Sequence, residues 1–535
     1  TGTIEINNIG NTAEGVNTGT ISIGNANTAT LTLDGTVYYT DGATVYEAAS
    51  GSTILLTGAS PTISTKNDNL TFDGGNIVLS TDGTTTINTE LSASGAGNIL
   101  IDGTIDGTSG ESEALTINSG SGTLAIQGTI GGTQAVTNLI VGGSGAGTIE
   151  LAGIGDADTI GATGTAAIGN TSTTTLTLDG TVYKTTGAQT YTAVTGGGNI
   201  DITGAATFTT TNTNVGFATS GVDLANNGTT TINTGAGAGT VTFGAALDSN
   251  GGDNDALTIT SGTGTVTFTG AVGATNALGN VDVNGSAGNA TITFTSTIGD
   301  ADSAGIVGTT AIGGTASTAL NFNSTVYNFD GATTITAAAG DTIDVGAGNT
   351  TFKTANDAIS FATGNIELAD SANLTIDTGA GTGNVTIVSI DGHSSENVTI
   401  DAGTGTTSVG AIGSGTEIGV LAIGSAENGA ITLNGAIATT GTVTMDGPVT
   451  LATGAISVTT TNDAISFNHT INGTQSLTLE SGTAAITLDG AIGNTGILTG
   501  LSVNATDGST GTIEINNIGN TAEGVNTGTI SIGNA

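Results

Sequence analysis

The 535 residues carry 44 acidic side chains against three lysines, and the formal net charge is −41. Phosphate binding needs clustered cations, so this balance excludes nucleic acid as a partner and disfavours anionic membrane surfaces. No run approaches the roughly 18 apolar residues of a membrane span. Cysteine is absent and hydrophobic residues make up 36% of the chain, which predicts a folded protein that does not rely on disulfides.

Short apolar runs recur from one end of the chain to the other. β-Branched residues alternate with threonine or asparagine over short stretches, a pattern typical of strands, and each run ends at glycine, asparagine or aspartate. No stretch sustains the helical apolar period. We therefore expect an all-β protein with essentially no helix. Clear examples, in chain order, are residues 30–35, 69–74, 98–103 and 239–243.

Longer spacings divide the chain into four diverged super-repeats. An Ile-Gly pair at Ile23 returns at Ile168, Ile312, Ile423 and Ile532, and the successive intervals are 145, 144, 111 and 109. Tyrosines at 38, 183 and 327 repeat the first two intervals. We place the super-repeats approximately at residues 24–168, 169–312, 313–423 and 424–532.

The segment 1–26 reappears letter for letter at the end of the chain, at 510–535. The offset between the two copies is 509, the same as the offset between Ile23 and Ile532. We interpret residues 1–535 as one continuous segment that contains one 509-residue period and the start of the next.

Evenly spaced short strands with glycine-rich corners favour a parallel β-solenoid, in which each coil covers the hydrophobic face of the next. Small β-branched residues fill a thin core, and stacked threonine and asparagine form hydrogen-bonded ladders. The shortfall of the third and fourth super-repeats predicts coils of about 18 residues, two of them lost in each shorter block. Tandem β-sandwiches are the structural alternative.

Residues 464–479 and 485–494 resemble the β-strand repeats of very large secreted bacterial proteins. These include filamentous haemagglutinin-like exoproteins of two-partner secretion and other giant repeat adhesins. The resemblance extends over the whole chain and lies in its residue composition and strand pattern. It implies a right-handed solenoid, secretion, and a role as adhesin, stalk or matrix fibre.

Clustered aspartates make calcium the best metal hypothesis, because hard cations prefer carboxylate and carbonyl oxygens. The alternative is that aspartate occupies turns because it tolerates turn geometry. We predict no other cofactor and no catalytic residue, and interpret His393 as part of an ordinary turn. The calcium candidates are Asp156, Asp158, Asp248, Asp253, Asp255, Asp300 and Asp302.

Aligned tyrosines have two interpretations. A ladder of tyrosines on the surface would offer a platform for sugars. Tyr46 and Tyr191 align in the repeat, but the third block has Ile335 at that position, which favours packing in the core or at a corner.

The function these features favour is a structural one: a long, stiff, acidic fibre, stalk or adhesin shaft outside the cell, on the bacterial surface. Its expected partners are further copies of itself, end to end or side by side, and cell-surface glycans. A repeat that itself binds glycans or cells is the alternative. A polysaccharide-cleaving β-helix enzyme ranks third, because such sites use lysine or arginine and the three lysines are scattered. We therefore expect a non-enzyme.

Overall fold

The computed structural model describes residues 2–10, 20–90, 97–142, 145, 147–225, 228–284, 290–346, 348–506, 508–519, 525 and 529–533. The chain divides into two compact units, Thr1–Gly270 and Ala271–Ala535. Throughout the described residues the regular structure is strand, without helix. Consequently, this part of the chain has no helix long and apolar enough to cross a membrane.

The first unit consists of short strands joined by turns. In chain order they are β1 (Gly2–Ile6), β2 (Ile21–Gly24), β3 (Thr28–Leu33), β4 (Val37–Thr40), β5 (Thr44–Glu47), β6 (Thr53–Leu56), β7 (Thr62–Thr65), β8 (Leu70–Asp73), β9 (Asn76–Leu79), β10 (Gly83–Asn88), β11 (Ile99–Ile101), β12 (Ile105–Asp106), β13 (Glu113–Asn118), β14 (Leu124–Ile126), β15 (Leu139–Val141), β16 (Thr148–Leu151), β17 (Ala166–Gly169), β18 (Thr175–Leu178), β19 (Val182–Lys184), β20 (Gln189–Thr192), β21 (Asn199–Ile202), β22 (Thr207–Thr209), β23 (Val215–Ala218), β24 (Gly221–Leu224), β25 (Thr229–Asn233), β26 (Val241–Phe243), β27 (Leu247–Ser249), β28 (Ala256–Thr260) and β29 (Val266–Phe268).

The second unit is built in the same way. Its strands are β30 (Val281–Val283), β31 (Thr291–Phe294), β32 (Thr310–Ile312), β33 (Ala319–Phe322), β34 (Val326–Asn328), β35 (Thr333–Thr336), β36 (Thr342–Val345), β37 (Asn349–Lys353), β38 (Ile359–Thr363), β39 (Asn365–Leu368), β40 (Asn373–Asp377), β41 (Val385–Asp391), β42 (Val398–Asp401), β43 (Thr407–Ile412), β44 (Leu421–Gly424), β45 (Ile431–Leu433), β46 (Ile437–Thr439), β47 (Val443–Asp446), β48 (Val449–Leu451), β49 (Ile456–Thr460), β50 (Ile465–Phe467), β51 (Ile471–Gly473), β52 (Ser476–Glu480), β53 (Ile486–Ile492), β54 (Gly500–Val503), β55 (Ile513–Ile518) and β56 (Ile530–Ile532).

Each strand pairs in parallel with the matching strand of the next coil. In the first unit β3 pairs with β6, β4 with β7 and β5 with β8. In the second unit β34 pairs with β37, β35 with β38 and β36 with β39. These coils therefore contribute one strand to each of three parallel sheets, whereas at Ile130 and Ile154 an isolated bridge takes the place of the third strand. Each unit is a parallel β-solenoid, which confirms the predicted fold class.

The coils are longer than the sequence predicts. Ile87 pairs with Ile117 of the next coil and Leu31 with Ile54, so the steps along the chain are 30 and 23. Among the described strand pairs the step falls to 18 only from Leu433 to Leu451. Three short strands joined by three corners of variable length need about 25 residues. The predicted coil length is therefore wrong in most coils.

The super-repeats do not contain a whole number of coils. Five coil steps from Ile23 reach Leu151 and a sixth reaches Leu178, so Ile168 lies between them, in a different sheet from Ile23. Four steps from Ile312 reach Val409 and a fifth reaches Leu433, on either side of Ile423. The shorter block has thus lost one coil and some corner residues, where the sequence argument expected two coils.

The inward-facing side chains form continuous stacks along the coils. Tyr191, Phe217, Phe243 and Phe268 occupy one such stack, with ring centroids 5.3, 5.1 and 5.3 Å apart. Phe208 packs edge-on against Tyr191 from the neighbouring sheet at 5.3 Å. Offset-stacked and edge-to-face pairs both stabilise a core beyond the area that they bury.

Polar ladders run along the outer surface, as the sequence predicts. Asn373 donates through Nδ2 to Asn349 Oδ1 at 2.8 Å, and its own Oδ1 accepts the Asn397 N–H at 2.8 Å. Each asparagine thereby links successive coils and satisfies backbone groups that the corner leaves unpaired. The ladder prediction is confirmed.

A left-handed asparagine turn recurs in all four super-repeats. The backbone φ is positive at Asn67, Asn212, Asn356 and Asn462, a conformation that asparagine tolerates better than most residues. Asn212 Oδ1 accepts the Gly237 N–H at 2.6 Å in the next coil, and Asn356 Oδ1 accepts that of Gly381 at 2.7 Å. The turn therefore also fixes how one coil sits on the next. The super-repeat boundaries themselves stay a prediction.

Candidate functional site

The aspartates of the two Gly-Asp-Ala-Asp loops act as turn caps. Asp156 Oδ1 accepts the N–H groups of Asp158 at 2.8 Å and Thr159 at 2.6 Å, and these bonds lower the pKa of Asp156. Asp156 and Asp158 are both exposed. Lys184 lies beside the loop, where its Nζ donates to the Ala157 carbonyl at 2.8 Å.

The second loop has the same geometry. Asp300 Oδ1 accepts the N–H groups of Asp302 at 2.8 Å and Ser303 at 2.7 Å, and the pKa of Asp300 is lowered for that reason. Both aspartates are exposed. Turn capping accounts for the position of Asp156 and of Asp300 without a metal.

The third calcium candidate is a loop in which two aspartates are buried and one is not. Asp248 and Asp255 are 8% and 1% exposed, whereas Asp253 is exposed at the turn. Asp255 Oδ2 accepts the Ser249 hydroxyl at 2.8 Å. The seven candidate aspartates do not form a group of three within ligand distance among the described residues. Calcium binding there stays a prediction.

The aligned tyrosines belong to the core. Tyr38, Tyr46, Tyr183, Tyr191 and Tyr327 are all fully buried. The Tyr38 hydroxyl donates to the Ile6 carbonyl at 3.0 Å and accepts the Gly35 N–H at 2.6 Å, and burial raises the pKa of Tyr38 to about 12. The packing interpretation is confirmed, and these five rings offer no platform to sugars.

A buried acid recurs at one loop of three super-repeats, and sequence reasoning missed it as a group. Glu113, Asp255 and Glu396 are each 1% exposed. Each precedes by two positions a Leu-Thr-Ile or Val-Thr-Ile run, at 115–117, 257–259 and 398–400. That spacing was the available signal. The loops before the three acids differ in length and sequence, which hides the correspondence.

Glu396 is held by a dense set of donors. Its Oε2 accepts the N–H groups of His393 at 2.7 Å, Ser394 at 2.8 Å and Ser395 at 3.1 Å. Its Oε1 accepts the Ser394 hydroxyl at 2.9 Å and the Ser371 N–H at 3.1 Å. Burial acts to raise the pKa of Glu396, but the backbone donors of Ser394 and His393 outweigh it and lower the value to about 2. The carboxylate is ionised and fixes the loop.

Glu113 shows the same burial with far fewer donors. Its Oε1 accepts the Thr108 N–H at 2.9 Å, while Oε2 is buried without a hydrogen-bond partner. Oε2 lies against Gly107, where a Cβ would be 3.1 Å away, and Glu396 Oε2 lies equally close to Gly392. Glu113 therefore differs from Glu396 in the number of its hydrogen-bond donors and not in its burial.

One group of side chains in the described residues brings three potential metal ligands close together. The ligand atoms of Asp370, His393 and Glu396 all lie within 4.8 Å of one another. Asp370 and His393 are exposed and Glu396 is buried. The sequence predicts an ordinary turn at His393 and gives no sign that Asp370, in the preceding coil, lies close to it.

Carboxylates also stack along one sheet of each unit. Asp201 pairs with Asp223 and Asp223 with Asp248 in the first unit. In the second unit Asp344 pairs with Glu367 and Glu367 with Asp391. Like charges directly opposite each other in a sheet are destabilising.

In the first of these ladders the pKa values of two aspartates are raised. Burial raises the pKa of Asp201. Burial first, and then the charges of Asp201 and Asp248, raise the pKa of Asp223. Asn199 relieves part of this strain by donating to Asp223.

A shallow open groove of about 250 Å³ lies beside the second Gly-Asp-Ala-Asp loop. Asp302, Asp330 and Lys353 line it together with Asn328. The other lysines lie in other contexts: Lys66 Nζ is 3.6 Å from Asp41 Oδ1, and Lys184 contacts the first loop.

Comparison with protein-family models, with curated proteins and with solved structures finds no match to this chain. The fold is therefore established by the structure alone.

Proposed function

We propose that this chain is a segment of a tandem-repeat structural protein whose solenoid continues from one 509-residue period to the next, forming a fibre, stalk or adhesin shaft outside a bacterial cell. The duplicated segment, 1–26 and 510–535, carries the proposal. One copy packs against the coil that follows it and the other against the coil that precedes it. Together they show the contacts of this segment on both sides.

The copy at the beginning is covered by the coil that follows it. In β1, Ile4 pairs with Leu31 and Ile6 with Leu33 of β3. The copy at the end is covered by the coil that precedes it, because Ile513 of β55 pairs with Ile486 of β53. Ile4 and Ile513 are the same position of the repeat.

The two copies of one repeat position differ in exposure. Ile23 pairs with Tyr46 of the next coil and is 9% exposed. Its counterpart Ile532 is 45% exposed, although it pairs with Val503 on its other side. A following coil with the sequence of residues 28–47 would cover Ile532 as it covers Ile23. Burying an isoleucine stabilises by roughly 1.5–3 kcal/mol, so continuation is favourable.

Several features support an extracellular structural role. A net charge of −41 keeps a long molecule soluble through self-repulsion, and the absence of cysteine is compatible with a secreted bacterial protein. The resemblance to haemagglutinin-like exoproteins and giant repeat adhesins points the same way. Stability in such a protein comes from nearest-neighbour stacking and needs no cofactor.

The proposed partner is another copy of the chain. Unpaired strand edges at the end of a stack invite addition of a further strand, and β56 presents Ile530 at 47% exposure. Separate single periods should therefore associate end to end. A monodisperse monomer in light scattering at high concentration would contradict this part of the proposal.

Thiol labelling tests the continuation, because the chain has no cysteine of its own. We compare Ile532→Cys in the single period with the same substitution in a two-period chain, residues 1–509 followed by 1–535. Both are assayed at low concentration, where end-to-end association is negligible. The thiol should react at least tenfold more slowly in the two-period chain, because the next coil covers it.

Ile23→Cys in the single period is the matched control, since the same repeat position is already covered there. It should react as slowly as Ile532→Cys in the two-period chain. Equal reactivity of Ile532→Cys in the two chains would show that the solenoid does not continue across the join.

The binding alternative needs its own test, since the five buried tyrosines do not support a sugar platform. A glycan array and a cell-binding assay on the folded single period distinguish a passive shaft, which binds nothing, from a repeat that is itself adhesive. Activity against acidic glycans would overturn the expectation of a non-enzyme.

A further inference from the structure

Asp370, His393 and Glu396 come together because their loops are stacked neighbours. Asp370 follows β39, and His393 and Glu396 lie between β41 and β42. β39 pairs with β41 through Glu367 and Asp391, which brings the loop after β39 beside the loop after β41. One nitrogen-bearing and two oxygen-bearing side chains thus have their ligand atoms within 4.8 Å.

Hydrogen bonds hold the Glu396 carboxylate of this group in place. Three backbone N–H groups of its own loop bind Oε2, and the Ser371 N–H from the Asp370 side binds Oε1 at 3.1 Å. The carboxylate therefore ties the two loops together before any metal binds. Ligands held by hydrogen bonds outside the metal lose little freedom on binding.

Asp370 has far fewer hydrogen-bond donors than Glu396. Ser394 Oγ lies 2.9 Å from Glu396 Oε1 and 3.3 Å from Asp370 Oδ1, but a serine hydroxyl has only one hydrogen to donate. Ser371 Oγ is 3.5 Å from Asp370 Oδ1, at the limit of a hydrogen bond. Asp370 Oδ1 therefore has only long contacts to serine hydroxyls and can accept a cation.

We propose that Asp370, His393 and Glu396 bind a divalent zinc ion, with water completing the coordination on the exposed side. Glu396 Oε1 would bind the ion in place of the Ser394 hydroxyl, which can donate to Asp370 Oδ1 instead. Imidazole nitrogen and carboxylate oxygen are both zinc ligands, and three protein ligands with an open position are common for this ion. Calcium fits less well, because it takes oxygen ligands almost exclusively. The site is distinct from the seven aspartates that the sequence suggested for calcium.

The ion would add a second link between two successive coils that Glu396 already connects through Ser371. Zinc binding should therefore stabilise the surrounding coils as well as fill the site. The chain has only two histidines, so the site occurs once in the 535 residues.

The other histidine supplies a matched control. His469 Nε2 lies 3.5 Å from Asp446 Oδ1, in a pair with one carboxylate, and the described residues place it in no group of three. Both histidines are in the second unit and outside the core. His393→Ala and His469→Ala remove the same group from sites with two and with one carboxylate neighbour.

The test measures Zn²⁺ affinity of the full chain by competition with a chromophoric chelator, in physiological salt with excess Mg²⁺ to saturate non-specific acidic sites. Wild type and His469→Ala should bind one equivalent with the same affinity. His393→Ala and Asp370→Asn should each bind at least tenfold more weakly, while circular dichroism shows an unchanged fold. Co²⁺ as a probe should give visible absorption bands that only His393→Ala and Asp370→Asn lose.

Equal zinc affinity of wild type and His393→Ala would overturn the proposal, as would an equal loss in both histidine variants. A wild-type chain that binds no zinc under these conditions would overturn it as well. None of these results bears on the tandem solenoid, which the thiol-labelling experiment tests separately.

Discussion

The loop at Glu396 and the ladder through Asp201 and Asp223 shift the pKa of a carboxyl group in opposite directions. Glu396 is buried, yet five donors make its ionised form the stable one and lower its pKa to about 2. Asp201 and Asp223 are only partly buried, yet burial and stacked charge raise their pKa. The donors aimed at a carboxylate, more than its depth, decide whether it stabilises this fold.

This difference matters because the chain has 44 acidic side chains and three cations with which to pair them. Backbone N–H groups at corners are the available substitute, and a parallel solenoid presents them at every turn. Asp106 and Asp391 use them too: each accepts an N–H from the next coil at 2.7 Å, from Thr133 and Gly415. An outward position in mid-strand has no such donor, because the sheet has already used the backbone.

The largest effect should come from Glu396→Gln, which replaces a carboxylate by an amide where five donors converge. At least one N–H loses its acceptor, and each hydrogen bond to a charged group is worth about 1.5–3 kcal/mol, so we expect a local loss of about 3 kcal/mol. Hydrogen exchange at the amides of residues 393–395 should accelerate roughly 100-fold. In wild type the contribution is present above the ordinary glutamate pKa near 4.5 and is lost as pH falls toward 2.

Asp370→Asn serves as the control for charge, since it removes one negative charge from the same place and leaves the donors of Glu396 intact. It should leave exchange at residues 393–395 within a factor of about three. Equal acceleration in both variants would mean that net charge, and not the donor set, holds the loop.

A smaller effect of opposite sign is expected for Asp223→Asn. Removing the middle charge of the ladder relieves repulsion from both neighbours and should stabilise the surrounding coils by about 0.5–1 kcal/mol at pH 7. Because the folded-state pKa is raised, the charged form weakens the fold as pH rises above the ordinary value of 3.8, so the gain should vanish below that pH. Thermal melting against pH measures this. Asp253→Asn, at an exposed turn, is the control and should change little.

The sequence predicts the solenoid because the evidence for it is local: period-two alternation, with glycine and asparagine at corners. It predicts the burial of the aligned tyrosines from another local feature, the isoleucine that replaces a tyrosine at Ile335. It does not predict coil length, which depends on how many residues each corner absorbs. Without the coil length, the sequence does not show which residues of successive coils lie next to each other. Asp370 and His393 are 23 positions apart in the sequence. Nothing in the sequence indicates that 23 residues make up one coil at this point.

The smallest effect is expected for Glu113→Gln. This substitution tests whether the burial of a carboxylate or the number of its hydrogen-bond donors sets its contribution to stability. Glu113 is as buried as Glu396, but one backbone N–H binds Oε1 and Oε2 has no hydrogen-bond partner. Glutamine keeps the oxygen that Thr108 binds and removes a buried charge that little else stabilises, so the two changes offset within about 0.5 kcal/mol. Hydrogen exchange at Thr108 should stay within a factor of about three of wild type. An acceleration near the 100-fold expected for Glu396→Gln would show that burial of the carboxylate, rather than the number of its donors, sets its contribution.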